Sequence, residues 1–147
     1  MEYVRQESGI SPDSTEFLIK GTVESGVFWL GPIELLQPSD SLFSSQWHLT
    51  DFGVNINVAG VWDEFTGFGV KVGVIDDGVQ YIHPDLSKNY DTGLDHDARD
   101  NDFDAAPTSS GDFHGTMVAG VIAAEANNEI GTVGVAFDAT LVGFRMG

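Results

Sequence analysis

Asp76, Asp77 and His114 are the side chains of this 147-residue chain best suited to moving protons. A histidine that takes a proton needs a carboxylate to orient its ring and to stabilise the positive charge that forms. A nucleophile within hydrogen-bond reach of the same ring completes an acyl-transfer set. The serines at 39–45 and 109–110 sit in loop-like stretches rather than at a helix start, so none of them is assigned that role. A second chemistry, metal-assisted hydrolysis by Asp76, Asp77, His83 and His114, is the weaker reading, because the ligand spacing of a helical metal motif is absent. Taken alone, Asp76 also has a plain reading as a turn-forming residue.

The surrounding sequence says how these groups are held. Gly69 to Ile75 is almost continuously apolar and closes on Asp76-Asp77-Gly78, which predicts a strand buried on both faces and ending in a tight turn. Sites in open α/β sheets form at the carboxyl ends of strands, where this acidic pair falls. Met117, Val118, Val121, Ile122 and Ala124 have helical spacing, which puts His114 at a helix N-terminus. Thr140 to Phe144 predicts the next buried strand. Ile56, Val58, Val61, Trp62 and Phe65 also repeat with helical spacing and predict a helix stopped by Thr66-Gly67. The loop from Gln37 to Leu49 is expected to anchor on Phe43 and Trp47.

Residues 1–36 carry less information. Met1 to Ser14 reads as a mobile arm. The β-like runs Phe17–Ile19 and Val27–Leu30 fit a hairpin, part of a pro-region or the end of a preceding domain.

With 6 basic and 23 acidic residues, the chain has a formal charge of −17, which argues against nucleic acid and anionic membranes as partners. It suits a cation, a basic substrate or simply a solubilised surface. There is no cysteine, hence no disulfide framework. No apolar run is long enough to span a membrane, and no secretory signal is visible at the start.

Ile75-Asp76-Asp77-Gly78, His83-Pro84-Asp85-Leu86, His114-Gly115-Thr116 through Gly120, and Gly134-Val135-Ala136-Phe137 to Arg145-Met146 together resemble the subtilases, and more closely their kexin/furin-like branch. The resemblance covers about residues 37–147. It implies an α/β fold with a subtilisin-like, mainly parallel sheet flanked by helices, present as the N-terminal part of a peptidase domain behind an extension of unknown role at 1–36. It implies a serine endopeptidase in which Asp76 and His114 are the first two members of an Asp-His-Ser triad. The chain reaches Gly147 before any Gly-Thr-Ser block or oxyanion-hole Asn, so by itself it is expected to be inactive. A noncatalytic calcium-binding module on the same scaffold is the alternative.

The resemblance also implies a substrate-binding role for Asp77, facing basic side chains of polypeptide substrates, while a turn carboxylate is its plain reading. It implies structural calcium at two places. Asp40, Asp85, the Asn128 side chain and the carbonyls of Glu125, Ile130 and Thr132 form the first set. Thr132 stands where the family commonly has Gly, a mild departure for a carbonyl ligand. Asp97, Asp102 and Asp104 form the second set, in a stretch that otherwise reads as a solvated acidic loop. A secreted or extracellular location follows by the same resemblance.

Overall fold

The computed structural model describes residues 17–23, 26–33 and 37–146. The arm expected at 1–14 lies outside the described residues. The chain divides into two units, Met1–Gln37 and Pro38–Gly147. In the first, strands β1 (Phe17–Val23) and β2 (Gly26–Ile33) pair antiparallel from Val23 opposite Gly26 to Phe17 opposite Ile33, with a register shift between Phe17 and Ile19.

The second unit holds α1 (Trp47–Thr50), β3 (Lys71–Asp76), β4 (His96–Asp97), α2 (His114–Ala123) and β5 (Thr140–Arg145), linked by loops and short 3-10 turns. Its sheet has the order β3-β5-β4, with both pairs parallel. The strand latest in sequence is therefore the central one. Leu141, Val142 and Gly143 of β5 are buried in succession, as a parallel strand covered on both faces requires. β3 departs from the expectation of two buried faces. Val74 is buried, but Ile75 is 68% exposed, so one face of β3 is open among the described residues.

Helix α2 lies on the sheet through Ala119 and Ala123, whose small side chains let the helix approach closely. Val74, Val79, Leu86, Ala124, Ala139 and Leu141 complete that core. The last carbonyls of α2, which a helix leaves without internal partners, are satisfied by the following segment. The N–H groups of Val135 and Ala136 donate to Val121 and Ile122 at 3.0 and 2.8 Å, and the Asn89 amide donates to Ala123 at 3.0 Å.

A second core holds Phe43, Leu49, Trp62 and Val133. The Trp62 indole N–H donates to the Val135 carbonyl at 3.0 Å. Two expectations fail here. Trp47 is 61% exposed and does not plug its loop; Phe43 does. Residues 56–65 form a 3-10 turn at Ala59–Val61 and further turns, not a helix. Asn57 has φ 55°, a left-handed conformation that stops a helix at its start, and Trp62 alone of the apolar repeat is buried.

Candidate active site

Asp76 is the last residue of β3, in register with Arg145 of β5, and its carbonyl accepts from Met146 N–H at 2.8 Å. The chain then turns sharply. Gly78 has φ 128°, and a Cβ there would lie 2.9 Å from the Pro107 nitrogen, so both conformation and space demand glycine. Val79 N–H donates to the Ala105 carbonyl at 2.9 Å, and Gln80 N–H donates to the Thr116 hydroxyl on α2 at 2.9 Å. The turn is thus tied to a loop on one side and to the helix on the other.

His114 is the first residue of α2, and its Nδ1 lies 2.9 Å from Asp76 Oδ1 and 2.8 Å from Oδ2. A carboxylate at Nδ1 favours the tautomer with the proton there, which leaves the Nε2 lone pair available as a base. The His114 side chain is 66% exposed. Among the described residues, no serine hydroxyl is hydrogen-bonded to it. Burial alone would raise the Asp76 pKa, but the Asp77 N–H and the His114 ring outweigh it and hold the carboxyl below its ordinary value. Asp76 therefore stays ionised, as the partner of a ring that acquires charge must.

Asp77 makes a contact that the sequence did not announce. Its Oδ2 accepts from the His114 backbone N–H at 3.0 Å, and its Oδ1 accepts from the Gly115 N–H at 2.7 Å. Phe113, which precedes the helix, makes no side-chain cap. Asp77 caps α2 from a strand end remote in sequence, and no local pattern announces such a cap. A Cβ on Gly115 would run into the Gly78 carbonyl and lie 2.8 Å from the Asp76 Cβ, so the helix start presses directly on the Asp-Asp-Gly turn.

Of the first ligand set suggested by sequence, Asp40, Asp85 and Asn128 are brought together. Asp40 and Asp85 are both buried. Asp40 accepts from the N–H of Asn127 at 2.7 Å and of Asn128 at 3.4 Å. Asp85 accepts from the Asn128 amide at 2.9 Å and Thr132 N–H at 3.0 Å, and its own carbonyl accepts from Glu125 N–H at 2.9 Å. Ile130 N–H donates to Asn128 Oδ1 at 2.7 Å. Neither carboxylate has an ionic partner among the described residues.

The second set is arranged otherwise. Asp97 is buried and ion-paired with Arg145, whereas Asp102 and Asp104 are exposed and accept from Asp104 and Ala106 N–H at 3.0 and 3.1 Å. Among the described residues, no three His, Asp or Glu side chains converge as a metal cluster, the Asp76, Asp77, His83 and His114 combination included. His83 instead accepts from Asp85 N–H at 3.2 Å.

Sequence reasoning also passed over Asp95, which is 3% exposed. Its Oδ1 accepts from the Tyr90 hydroxyl at 2.9 Å and Gly143 N–H at 3.0 Å, while Oδ2 is buried without a partner. Burial pushes its pKa up, against those hydrogen bonds and with the help of the Asp104 charge.

Residues 67–147 match the Subtilase family model. Neuroendocrine convertase 2 of Homo sapiens is 40% identical over 119 residues, which cover 74% of this chain and 19% of that protein. Furin of Mus musculus is 44% identical over 117 residues, covering 75% of this chain and 14% of that protein. The solved structure of Aeromonas sobria serine protease with its chaperone superposes with a TM-score of 0.65 at 34% identity, covering 74% of this chain and 20% of that one. The chain thus spans about a fifth or less of the length of the relatives named here.

Proposed function

The chain belongs to the subtilase family, on its kexin/furin-like side, and on that premise we propose that it supplies the general base and its orienting carboxylate to a serine endopeptidase. The observation that carries this reading is the contact of His114 Nδ1 with both Asp76 oxygens at 2.8–2.9 Å, at the junction of a strand end and a helix start. In peptide-bond hydrolysis His114 Nε2 removes the proton of a serine hydroxyl as it attacks the carbonyl carbon, then returns that proton to the leaving amine. Asp76 holds the ring and stabilises the imidazolium between the two events. The reaction also needs a serine nucleophile and oxyanion donors, which this reading assigns to no residue of 1–147.

Substrates are polypeptides, and we favour basic residues near the scissile bond. The support is the −17 charge of the chain and the Asp76-Asp77 pair beside the base. A secreted destination is part of the same proposal, supported by likeness to the convertases; among the described residues no helix is long and apolar enough to cross a membrane.

Calcium would be held first by Asp40, Asp85, Asn128 and the carbonyls of Glu125, Ile130 and Thr132. The support is that two buried carboxylates, with no cationic side chain paired to them among the described residues, both meet the Asn128 region, and buried carboxylates suit a hard cation. That ion would supply cross-linking between separated loops, not chemistry. At Asp97, Asp102 and Asp104 a calcium would have to share Asp97 with Arg145, so the fit there is poorer.

The test is a serine-directed fluorophosphonate probe, with hydrolysis of a basic peptide, on the full-length gene product that carries this chain. Labelling and turnover should both be present, and both should collapse in His114→Ala. Residues 1–147 alone should neither label nor hydrolyse. Unimpaired turnover in His114→Ala would overturn the assignment.

A further inference from the structure

We propose that Asp77 is a positioning residue for His114: it clamps the first turn of α2 onto the end of β3 so that the imidazole stands over Asp76, an inference that rests on the peptidase reading above. Two consecutive carboxylates grip one residue from two sides. Asp76 takes the His114 ring at 2.8–2.9 Å, and Asp77 takes the His114 backbone N–H at 3.0 Å and the next N–H, of Gly115, at 2.7 Å.

The first N–H groups of a helix have no partner inside it, and a carboxylate there also meets the positive end of the helix dipole. Phe113 offers no side-chain acceptor, so Asp77 does the capping. The contact at Gly115 leaves no room for another side chain to take over, because even a Cβ would meet Gly78, Asp76 and Asp77. Where the helix start goes, the His114 ring follows. A displacement of about 1 Å of a catalytic group can cost about a hundredfold in rate.

Asp77 is therefore not only a charge for basic substrates. A carboxylate has about four acceptor positions, and two are occupied here, so a cationic substrate group could still bind. Such a group would then pull on the same side chain that sets the base.

The experiment compares Asp77→Ala and Asp77→Asn with the parent in the full-length gene product. Three quantities are measured: amide exchange at His114 and Gly115, the downfield Nδ1–H proton signal of His114, and kcat and KM on neutral and basic peptides. Asp77→Ala should speed exchange of those two amides about tenfold or more relative to the rest of α2, as expected when a capped helix end frays. It should weaken the Nδ1–H signal and lower kcat on the neutral peptide about tenfold with KM little changed. Asp77→Asn keeps one acceptor oxygen and should be intermediate on all three; it carries the test if the alanine variant does not fold. Unchanged exchange and an unchanged Nδ1–H signal would overturn the proposal. So would a fall in the basic-to-neutral ratio with neutral-peptide kcat intact, since that describes a pure substrate contact. Should the parent hydrolyse no peptide, the peptidase reading fails by itself, and the exchange and proton signals still decide whether Asp77 positions His114.

Discussion

Asp97 and Arg145 stand opposite each other across the parallel pair β4–β5, and their side chains close an ion pair that is 1% exposed on both sides. Asp97 Oδ1 also accepts from the N–H groups of Arg99 and Asp100 at 2.8 and 3.1 Å. Arg145 reaches Asp100 at 2.9 Å and the Thr108 hydroxyl at 2.5 Å. One guanidinium thus gathers a two-residue strand and the loop that follows it.

Removing one member of a buried pair leaves the other charge uncompensated, whereas exposed pairs contribute little. Asp97→Asn should therefore lower the melting temperature more than Asp91→Asn, which breaks the exposed Lys71–Asp91 pair. Burial raises the Asp97 pKa, but the Asp100 and Arg99 N–H groups and Arg145 bring it below the ordinary carboxylate value. A folded-state pKa that is lowered contributes stability above the unfolded value and loses it as pH falls through the folded one. Melting curves taken between neutral pH and about pH 3 should fall less steeply in Asp97→Asn than in the parent. Parallel curves would remove this role from Asp97.

Asp95 has the opposite sign. Its folded-state pKa is raised, so the folded form holds its proton more tightly and stability falls as pH climbs from the unfolded value through the raised one. Asp95→Asn keeps an acceptor for Tyr90 and Gly143 but carries no charge. The melting temperature of Asp95→Asn relative to the parent should rise with pH over that window. A difference independent of pH would show that the carboxyl titrates alike in both states.

Calcium should stabilise the folded chain through the first ligand set more than through the second. Asp40, Asp85 and the 125–132 loop come from three separated segments, while Asp97, Asp102 and Asp104 share one. Binding to the folded state alone adds about 2.7 kcal/mol at a hundredfold excess over Kd. Asp85→Ala should abolish most of the calcium-dependent rise in melting temperature, and Asp102→Ala less, in protein whose nucleophile is blocked. Equal melting temperatures in calcium and chelator would remove the ion from both sets; a larger loss from Asp102→Ala would reverse their order.

Gly115→Ala adds one methyl where there is no space, between the Gly78 carbonyl and the Asp76 and Asp77 side chains. Overpacking of this kind costs about 1–3 kcal/mol, and here relief requires the helix start to move. We expect a fall in both melting temperature and kcat. Gly120→Ala, on the same helix with open space around the added carbon, serves as the control. Equal behaviour of the two variants would show that the close approach at Gly115 is unimportant.

The places of Asp76 and His114 were legible because each sits at a boundary marked by local signals, an apolar run ending in Asp-Asp-Gly and a helical repeat opening on His114, while their pairing was an expectation from the family resemblance. β5 was legible for the same reason. Residues 56–65 misled because apolar spacing does not reveal which side chains have a surface to pack on; Phe65 is 68% exposed while Trp62 is buried. Exposed Trp47 and Ile75 failed likewise. The Asp77 cap and the Asp97–Arg145 pair join positions far apart in sequence, and no local pattern encodes such a meeting.

The strand order β3-β5-β4 has a consequence for how the chain is made. β3, which carries Asp76, and β4 are both synthesised before β5, the strand that each pairs with in the sheet of the described residues. On the ribosome Asp76 would emerge on a strand whose described sheet partner is not yet made, and would wait until Arg145 had cleared the exit tunnel. At about 5–20 residues per second, the interval is on the order of several seconds. Through that time the apolar Val72–Ile75 segment is open to whatever meets the nascent chain, so a chaperone that acts during translation would find its handle there.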